Sequence, residues 1–270
     1  DDICIVTANT NDIVAQSPYW GSVGLHYHQI PTLQIAPIDF STMATNNGTA
    51  TQNNVTLSVD VDGGATFAGT STPVNIATGV SDSVFITTQY TPAATLGSHT
   101  IDWALTQDET DEVPTNNVIP TIAMSITEFI YARDMDTDGG GTFNQGDGYE
   151  VGNLFDVFTD DIIYSIDAMP RASSEDLSQM YAKLYSIDPT TGDFILEEQS
   201  DYYEINTGNM GQVVSMVLLN PFPLTAGETY LVVACTDGDG GATDDFVCTT
   251  SGASDAQTSF YYDATDLTWY

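Results

Sequence analysis

The stretch 179-QMYAKLYSI-187 decides between a helical and an all-β interpretation of this chain. It follows Ser173 and Ser174, either of which could cap a helix, and no other segment gives a comparable helical signal. Its side chains nevertheless alternate strictly, and a period of two residues is typical of a strand. We therefore predict a strand preceded by a short turn. Its two faces would carry Met180, Ala182 and Leu184, and Tyr181, Lys183 and Tyr185.

The same alternation recurs along the chain, separated by turn residues such as Asn46-Asn47-Gly48 and Asp62-Gly63-Gly64. Many short strands with this spacing predict β-sandwiches. The strongest examples are 55-VTLSVDV-61, 83-SVFITTQY-90, 99-HTIDWAL-105, 121-TIAMSIT-127, 212-QVVSMVLL-219 and 229-TYLVVACT-236.

The strands divide into two groups, which predicts an all-β chain with two β-sandwiches in series. We expect an immunoglobulin-like sandwich over residues 20–130 and a jelly-roll-like sandwich over residues 142–270. Residues 1–19 would form a strand and a linker, and residues 131–141 an acidic, glycine-rich joint. Because a lone terminal strand has no core of its own, it should pair with a neighbouring domain, a neighbouring molecule or a sheet edge of this one.

The charge of the chain restricts its partners and its location. Thirty-eight acidic residues stand against three basic ones, for a formal net charge of −35. Nucleic acids and anionic membrane surfaces are excluded as partners, because both require basic patches. No apolar run is long enough to span a bilayer, so no membrane insertion is expected. The carboxylates need solvent, metal or mobile cations, which favours an extracellular or cell-surface location.

The N-terminus, Asp1-Asp2-Ile3, carries no methionine and no basic, apolar leader. We interpret the chain as a mature or excised segment.

Two acidic clusters are candidate calcium sites, and calcium is the one cofactor that the sequence suggests. In 134-DMDTDGGGTFNQ-145 the alternate carboxylates imitate the start of an EF-hand loop, but Gln145 stands at the twelfth position in place of a bidentate glutamate. A generic calcium loop completed by Asp147 or a backbone carbonyl is the hypothesis, and a solvated turn is the alternative. The second cluster has the alternative of an acidic hairpin tip. The candidate ligands are Asp134, Asp136, Asp138 and Asp147 in the first cluster, and Asp237, Asp239, Asp244 and Asp245 in the second.

Cys235 and Cys248 flank a twelve-residue loop and could bridge the base of a hairpin. A disulfide closing a loop near that length stabilises by roughly 3 kcal/mol in the chain-entropy model. Two buried thiols are the alternative, since free cysteine packs readily in cores. Cys4 is left without a partner in this segment.

Two further sets of residues are interpreted from their position. Arg133, one of three basic residues, could hold several acceptors at the joint with Tyr131 beside it, and so orient the second domain. Near the C-terminus, Trp269 and Tyr270 could stack on sugar rings if exposed, and otherwise belong to the core and edge of the last strands.

No catalytic motif is present: we find no G-x-S-x-G elbow, no H-E-x-x-H helix and no Cys/His nucleophile set. Paired carboxylates carry little information in a chain so rich in acids. The sequence therefore predicts a protein that is not an enzyme.

Four segments in the first group of strands carry a family resemblance: 43-MATNNGTATQNNVTLSVDVDG-63, 79-GVSDSVFI-86, 97-GSHTIDWAL-105 and 115-TNNVIPTIAMSI-126. In their order they resemble the CARDB family, the cell-adhesion-related domains of bacteria. The resemblance implies an immunoglobulin-like fold with a spacer or adhesive role.

A second resemblance rests on a succession of segments along the whole chain: Asp1-Asp2-Ile3, 26-HYHQIP-31, 131-YARD-134, 149-YEVGNLFDV-157, 181-YAKLYSIDPTTGDF-194 and 224-LTAGETYLV-232. This succession is similar to large surface proteins of Bacteroidota exported by type IX secretion. The resemblance implies that the chain is an internal slice of a longer protein.

The leading functional hypothesis is a non-enzymatic extracellular module, structural or adhesive, of a bacterial surface protein or filament. Its partners would be other copies of itself or neighbouring domains, and 2-DICIV-6 could add to the sheet edge of the next copy by strand exchange. The alternative is a carbohydrate-binding module of a secreted multidomain enzyme, with surface glycans as partners. A secreted hydrolase, the third hypothesis, would require a cleft with two carboxylates of raised pKa.

Overall fold

The computed structural model describes residues 8–135, 139–145, 148–238, 245–252 and 254–270. Within these ranges the chain is all-β, with twenty strands, two short 3-10 helices and no α-helix. It divides into two compact units, residues 1–135 and residues 136–270. No helix in the described part is long and apolar enough to cross a membrane. The predicted fold class, an all-β chain of two β-sandwich units, is confirmed.

The described part of the first unit, residues 8–135, contains nine strands in two sheets. One sheet has the order β1-β3-β7, and the other has the order β2-β9-β8-β4-β5 with β6 also paired to β4. All of these pairs are antiparallel except β2 with β9. The strands are β1 (Ile13–Gly21), β2 (Gln29–Pro31), β3 (Ile38–Asn46), β4 (Gln52–Val61), β5 (Phe67–Thr70), β6 (Val74–Ile76), β7 (Ser81–Tyr90), β8 (Gly97–Thr106) and β9 (Val118–Thr127).

Strand β4 shows how the alternating sequence builds the first core. Val55, Leu57, Val59 and Val61 are fully buried, while the residues between them are partly exposed. Successive side chains of a strand point to opposite faces, so one face of β4 packs inward and the other faces solvent. Aromatic rings from other strands complete the core, with Phe40 and Trp103 meeting edge to face at 5.5 Å between ring centroids.

The turn after β4 is held by one carboxylate. Asp62 accepts hydrogen bonds from the Thr66 hydroxyl at 2.6 Å, the Thr100 backbone N–H at 3.0 Å and the His99 ring at 2.8 Å. These hydrogen bonds, that of Thr66 first, lower the pKa of Asp62 from 3.8 to about 2. A carboxyl group with a depressed folded-state pKa stabilises the fold above pH 3.8 and loses that contribution as the pH falls towards 2.

Replacing Asp62 by asparagine is therefore expected to make the thermal stability of the first unit less dependent on pH between pH 4 and pH 2. The wild-type Tm should fall more steeply over that interval than the Tm of Asp62→Asn, by on the order of 2–4 °C. Differential scanning calorimetry at stepped pH measures the difference. Asp193→Asn removes an exposed carboxylate elsewhere and should follow the wild type. If the Tm values of the wild type and Asp62→Asn fall in parallel as the pH is lowered, Asp62 does not make the expected contribution to stability.

The N-terminal region differs from its prediction. Residues 13–19, expected in a linker, belong to β1 and pair with β3. The segment before β1 is also fixed to the unit, because the carbonyl groups of Asn9 and Thr10 accept backbone hydrogen bonds from Thr49 and Ala50. On its other side Glu112 accepts from the backbone N–H of Thr10 at 3.0 Å. The sequence alone missed these contacts because they join segments far apart in the chain.

Among its described residues, the second unit contains eleven strands in three sheets. The large sheet has the order β14-β13-β17-β11-β19-β20 with β15 also paired to β13, and the pairs β12-β16 and β10-β18 form two smaller sheets. The strands are β10 (Gly141–Phe143), β11 (Tyr149–Asp156), β12 (Asp161–Ala168), β13 (Gln179–Ile187), β14 (Phe194–Gln199), β15 (Tyr203–Glu204), β16 (Val214–Leu224), β17 (Thr229–Thr236), β18 (Cys248–Thr250), β19 (Ser259–Asp263) and β20 (Thr268–Trp269).

The predicted strand at 179–187 is confirmed as β13, and its two faces enter different hydrophobic clusters. Met180, Ala182 and Leu184 pack in the main core, together with Met216 and other residues of β12 and β16. The opposite face carries Tyr181 and Tyr185 into a second cluster. The main core thus lies between the large sheet and the β12–β16 sheet, as in a β-sandwich.

Of the two alternatives for Cys235 and Cys248, the structure has the free thiols and not the disulfide, with Cys235 buried and Cys248 half-buried. Cys235 lies in β17 and is fully buried in the second cluster, whereas Cys248 lies in β18, a strand of a different sheet, and packs against the main core. Burial raises the pKa of the Cys235 thiol, which keeps it protonated and unreactive.

Candidate functional site: the tyrosine face of the second unit

One face of the large sheet combines aromatic rings with the only lysine of the chain. Alternation in β13 and β17 places the side chains on this face, and the antiparallel register sets Cys235 between Tyr181 and Glu150. We call it the tyrosine face. Its members are Glu150 and Leu154 of β11, Tyr181, Lys183 and Tyr185 of β13, Leu231, Val233 and Cys235 of β17, and the partly buried Phe194, Phe260 and Trp269.

An ion pair lies at the centre of the tyrosine face. The Lys183 ammonium group donates to Glu150 Oε1, and the Tyr185 hydroxyl donates to Glu150 Oε2 at 2.7 Å. The side chains of Lys183 and Glu150 are 17% and 10% exposed. Lys183 Nζ also lies 5.5 Å from the ring centroid of Tyr181 and 6.0 Å from that of Tyr185. Every charged group of this set therefore has a partner, as a buried ion pair requires.

A second carboxylate of this region, Asp237, is occupied by two phenols. The hydroxyl groups of Tyr181 and Tyr202 donate to its two oxygens at 2.8 and 2.5 Å, and the two rings pack at 4.9 Å between centroids. Burial, with the nearby Asp237 carboxylate, raises the pKa of Tyr181 above its ordinary value. These phenols therefore remain protonated donors, and the arrangement positions rings rather than activating a nucleophile.

The two predicted calcium clusters are only partly described. Asp136, Asp138, Asp147, Asp239 and Asp244 lie outside the described residues. Of the others, Asp134 accepts a hydrogen bond from Gln29 through its backbone carbonyl, and the Asp245 carbonyl accepts the N–H of Glu175. Across the described ranges no group of three or more His, Cys, Asp or Glu side chains is placed to hold a metal ion. Calcium therefore stays a prediction.

Gln145, the residue that departs from the EF-hand pattern, donates to Asp263 at 2.8 Å, and this hydrogen bond lowers the pKa of Asp263. Its side chain thus has a structural partner on the strand β19.

The residues predicted at the joint are integrated into the first unit. Tyr131 stacks on Tyr27 with 4.4 Å between ring centroids. The backbone of Ala132 exchanges hydrogen bonds with Gln29, and Arg133 is buried. The segment therefore continues the first sandwich as far as residue 133. The role of Tyr131 and Arg133 in orienting the second unit stays a prediction.

The two residues predicted to stack on sugars have different surroundings. Trp269 packs against Phe194, Tyr262 and Tyr185 with ring centroids at 4.9, 5.3 and 5.6 Å, so most of its ring belongs to the tyrosine face. Tyr270 is exposed, stacks on Tyr261 at 5.0 Å and donates its hydroxyl to Asp266. Tyr270 is thus the better placed of the two for an external ligand.

Two of the three basic residues of the chain contact partners in the second unit, and the third is buried. Arg171 Nη1 donates to the Gly141 carbonyl at 3.4 Å, Lys183 pairs with Glu150, and Arg133 is the buried one. Backbone amides take the place of bases as partners of many carboxylates. Asp188, for example, accepts from the N–H groups of Thr190 and Thr191 at 2.7 and 3.0 Å. The numbers of acidic and basic residues in the sequence do not indicate that carboxylates pair with backbone N–H groups.

A cavity of about 360 Å³ lies beside β16, at a place that the sequence did not indicate. We call it the β16 cavity. Its lining includes Asp201, Tyr202, Tyr203, Ser215, Val217 and Leu219.

The fold and these contacts define a β-sandwich protein whose polar side chains largely serve its own structure. No family model and no curated protein matches the chain.

Two of the solved structures that match this chain show the level of likeness, which is at low identity. One is a CARDB domain from Pyrococcus furiosus, solved in complex with di-metal ions, with 14% identity, 47% of this chain and 97% of that chain covered, and a TM-score of 0.33. The other is a two-domain protein of unknown function from Bacteroides fragilis, with 10% identity, 89% and 95% covered, and a TM-score of 0.25. At these TM-scores neither likeness carries an argument about ligands or activity.

Proposed function

We propose that this chain is a non-enzymatic, extracellular module, structural or adhesive, of a bacterial cell-surface protein or filament. The observation that carries the proposal is the internal use of its charged groups: Lys183, Arg171 and many carboxylates hold the chain's own strands and turns together, and Arg133 is buried. An acidic surface of this kind suits a saline milieu in which mobile cations screen the remaining charge. The resemblance to CARDB domains and to type IX-secreted proteins of Bacteroidota supports the same assignment.

Assembly by strand exchange is the specific mechanism that we propose. Residues 2–6, DICIV, would add to the edge strand β7 of a neighbouring copy. Among the described residues β7 pairs with β3 alone, although it is ten residues long. Its exposed Phe85 adds apolar surface at that edge. Long edge strands with an apolar side chain are favourable templates for pairing.

Deleting residues 1–7 is expected to reduce the chain to a monomer in sedimentation velocity, and Phe85→Lys should do the same, because a charge on an edge strand opposes pairing. Leu96→Lys is the matched control, since Leu96 is an equally exposed apolar residue outside β7, and it should leave the assembly intact. A monomeric wild type, or an assembly unchanged by the deletion, would show that strand exchange is wrong.

Calcium binding is tested separately. We expect 1 mM CaCl2 to raise Tm above that measured in NaCl of equal ionic strength, because an ion that binds only the native state stabilises it by mass action. At 100 times Kd the gain would be about 2.7 kcal/mol. A chelator should reverse the shift. Equal Tm values in the two salts would exclude a calcium site of useful affinity.

Glycan binding is the second candidate function, and the exposed Tyr270 ring stacked on Tyr261 favours it. Loss of glycan-array binding on Tyr270→Ala, with Tyr164→Ala as an exposed tyrosine control, would support it. Trp269→Ala is a less specific test of glycan binding, because this substitution also removes the packing of Trp269 against three rings. No binding to any polysaccharide would reject this candidate.

A further inference from the structure

We propose that the β16 cavity receives a lysine or arginine side chain from a basic segment of a partner protein. This inference goes beyond the structural role proposed above, because it assigns the second unit an external partner of defined charge.

Strand β16 carries apolar side chains on its outer face, which does not contribute to the core. Val214, Met216 and Leu218 point into the main core and are buried. The alternate residues Val217 and Leu219 are 69% and 51% exposed, and both line the cavity. Adjacent exposed aliphatic residues on one face of a strand mark an interaction surface more often than isolated ones do.

The opposite wall of the cavity is held in place by hydrogen bonds. Tyr202 is 57% exposed, but its hydroxyl is fixed to Asp237 and its ring packs against Tyr181. Just before it, the Ser200 hydroxyl accepts from the Ala182 N–H at 2.9 Å and donates to the Asp201 carbonyl at 2.8 Å. Because this wall is already ordered, a ligand would lose little free energy in organising it.

The chemistry of the lining fits a long side chain with a cationic end. Asp201 is exposed, and its carboxylate makes no hydrogen bond or ion pair with another described residue. The methylene stem of lysine or arginine suits Val217 and Leu219, and the charged end suits Asp201 and the face of the Tyr202 ring. A volume of about 360 Å³ lies near the lower end of the range of small-ligand sites, about 300–1,000 Å³, and suits one side chain.

Charge complementarity decides which partner the cavity would receive. The chain has a formal net charge of −35, which attracts cationic partners and increases their association rate. A second copy of this chain carries the same negative charge. Two of its three cations contact their own unit, and the third is buried. A basic segment of a different protein therefore fits the cavity better than another copy does.

The test uses N-acetyl-L-arginine amide and N-acetyl-L-lysine amide as probes, titrated into the full chain and followed by ¹⁵N NMR. We expect saturable shifts at residues 201–203 and 215–219. The uncharged isostere N-acetyl-L-citrulline amide should cause none. Asp201→Asn should weaken binding at least about fivefold, because a charge-assisted hydrogen bond is lost. Val217→Ser removes an apolar wall without changing the charge and should also weaken it.

Asp193→Asn is the matched control for charge, since it removes one exposed carboxylate of the same unit and should change the affinity less than about twofold. Equal effects of Asp201→Asn and Asp193→Asn would overturn the proposal in favour of diffuse attraction to the acidic surface. Absence of saturable shifts at the β16 cavity would also overturn it, as would shifts caused there by a neutral disaccharide but not by the cationic probes. None of these outcomes depends on whether the chain assembles by strand exchange.

Discussion

Replacing Lys183 by methionine is expected to destabilise the second unit by about 3–5 kcal/mol, because it leaves the Glu150 carboxylate largely buried without its cation. The Tyr185 hydroxyl still donates to Glu150 but supplies no positive charge. Hydrogen exchange of peptides from β13 and β17 measures the effect in the second unit alone, which matters because the chain has two units and need not unfold in one step.

The double variant distinguishes loss of the pair from loss of packing. Glu150→Gln combined with Lys183→Met removes both charges and keeps an amide oxygen for Tyr185, so much of the stability lost in Lys183→Met should return. Asp193→Asn serves as the surface control and should remain within about 0.5 kcal/mol of the wild type. If the double variant is no more stable than Lys183→Met, then the long side chain of Lys183 contributes through its contacts rather than its charge.

The sequence predicted those features of the fold that depend on local alternation. In β13 the period of two residues assigned both the strand and its faces correctly, because neighbouring side chains of a strand must point in opposite directions. The sequence also marked Lys183 as one of three cations in the chain, but nothing local indicated its partner. Glu150 lies 33 residues earlier and reaches Lys183 across β17, which separates their strands in the sheet.

The disulfide candidate arose because residues close in the sequence were expected to be close in space. A loop of twelve residues between Cys235 and Cys248 suggested a hairpin, yet β18 pairs with β10 and β17 pairs with β11 and β13. The β16 cavity shows the same limit, because its walls come from segments more than ten residues apart. The hydrogen-bond partners of carboxylates can also lie far away in the sequence. Asp111, for example, accepts from the Ile13 N–H, which lies 98 positions earlier. Such contacts depend on how the strands are ordered in the sheets.

Gly152→Ala is expected to destabilise the second unit by more than about 3 kcal/mol, although it adds a single methyl group. Gly152 lies in β11, with Val233 opposite it on β17 and Phe260 opposite it on β19. A Cβ atom at this position would lie 1.8 Å from the Val232 carbonyl oxygen and 2.7 Å from the Val233 Cα. These are backbone atoms held by sheet pairing, so they cannot move aside as the end of a flexible side chain would.

Gly97→Ala is the control. Gly97 is also a strand residue, the first of β8, but no atom lies within 4 Å of the Cβ that alanine would add there. It should be neutral or stabilising by up to about 1 kcal/mol, since alanine reduces the entropy of the unfolded chain. Chemical denaturation of the two variants, with exchange of β11 and β17 peptides as the local measurement, compares them directly. Similar stability of both variants would mean that β11 and β17 separate easily enough to admit a methyl group. The large sheet would then be too loosely paired to hold Glu150 against Lys183, so this substitution also tests the packing on which the ion pair of the tyrosine face depends.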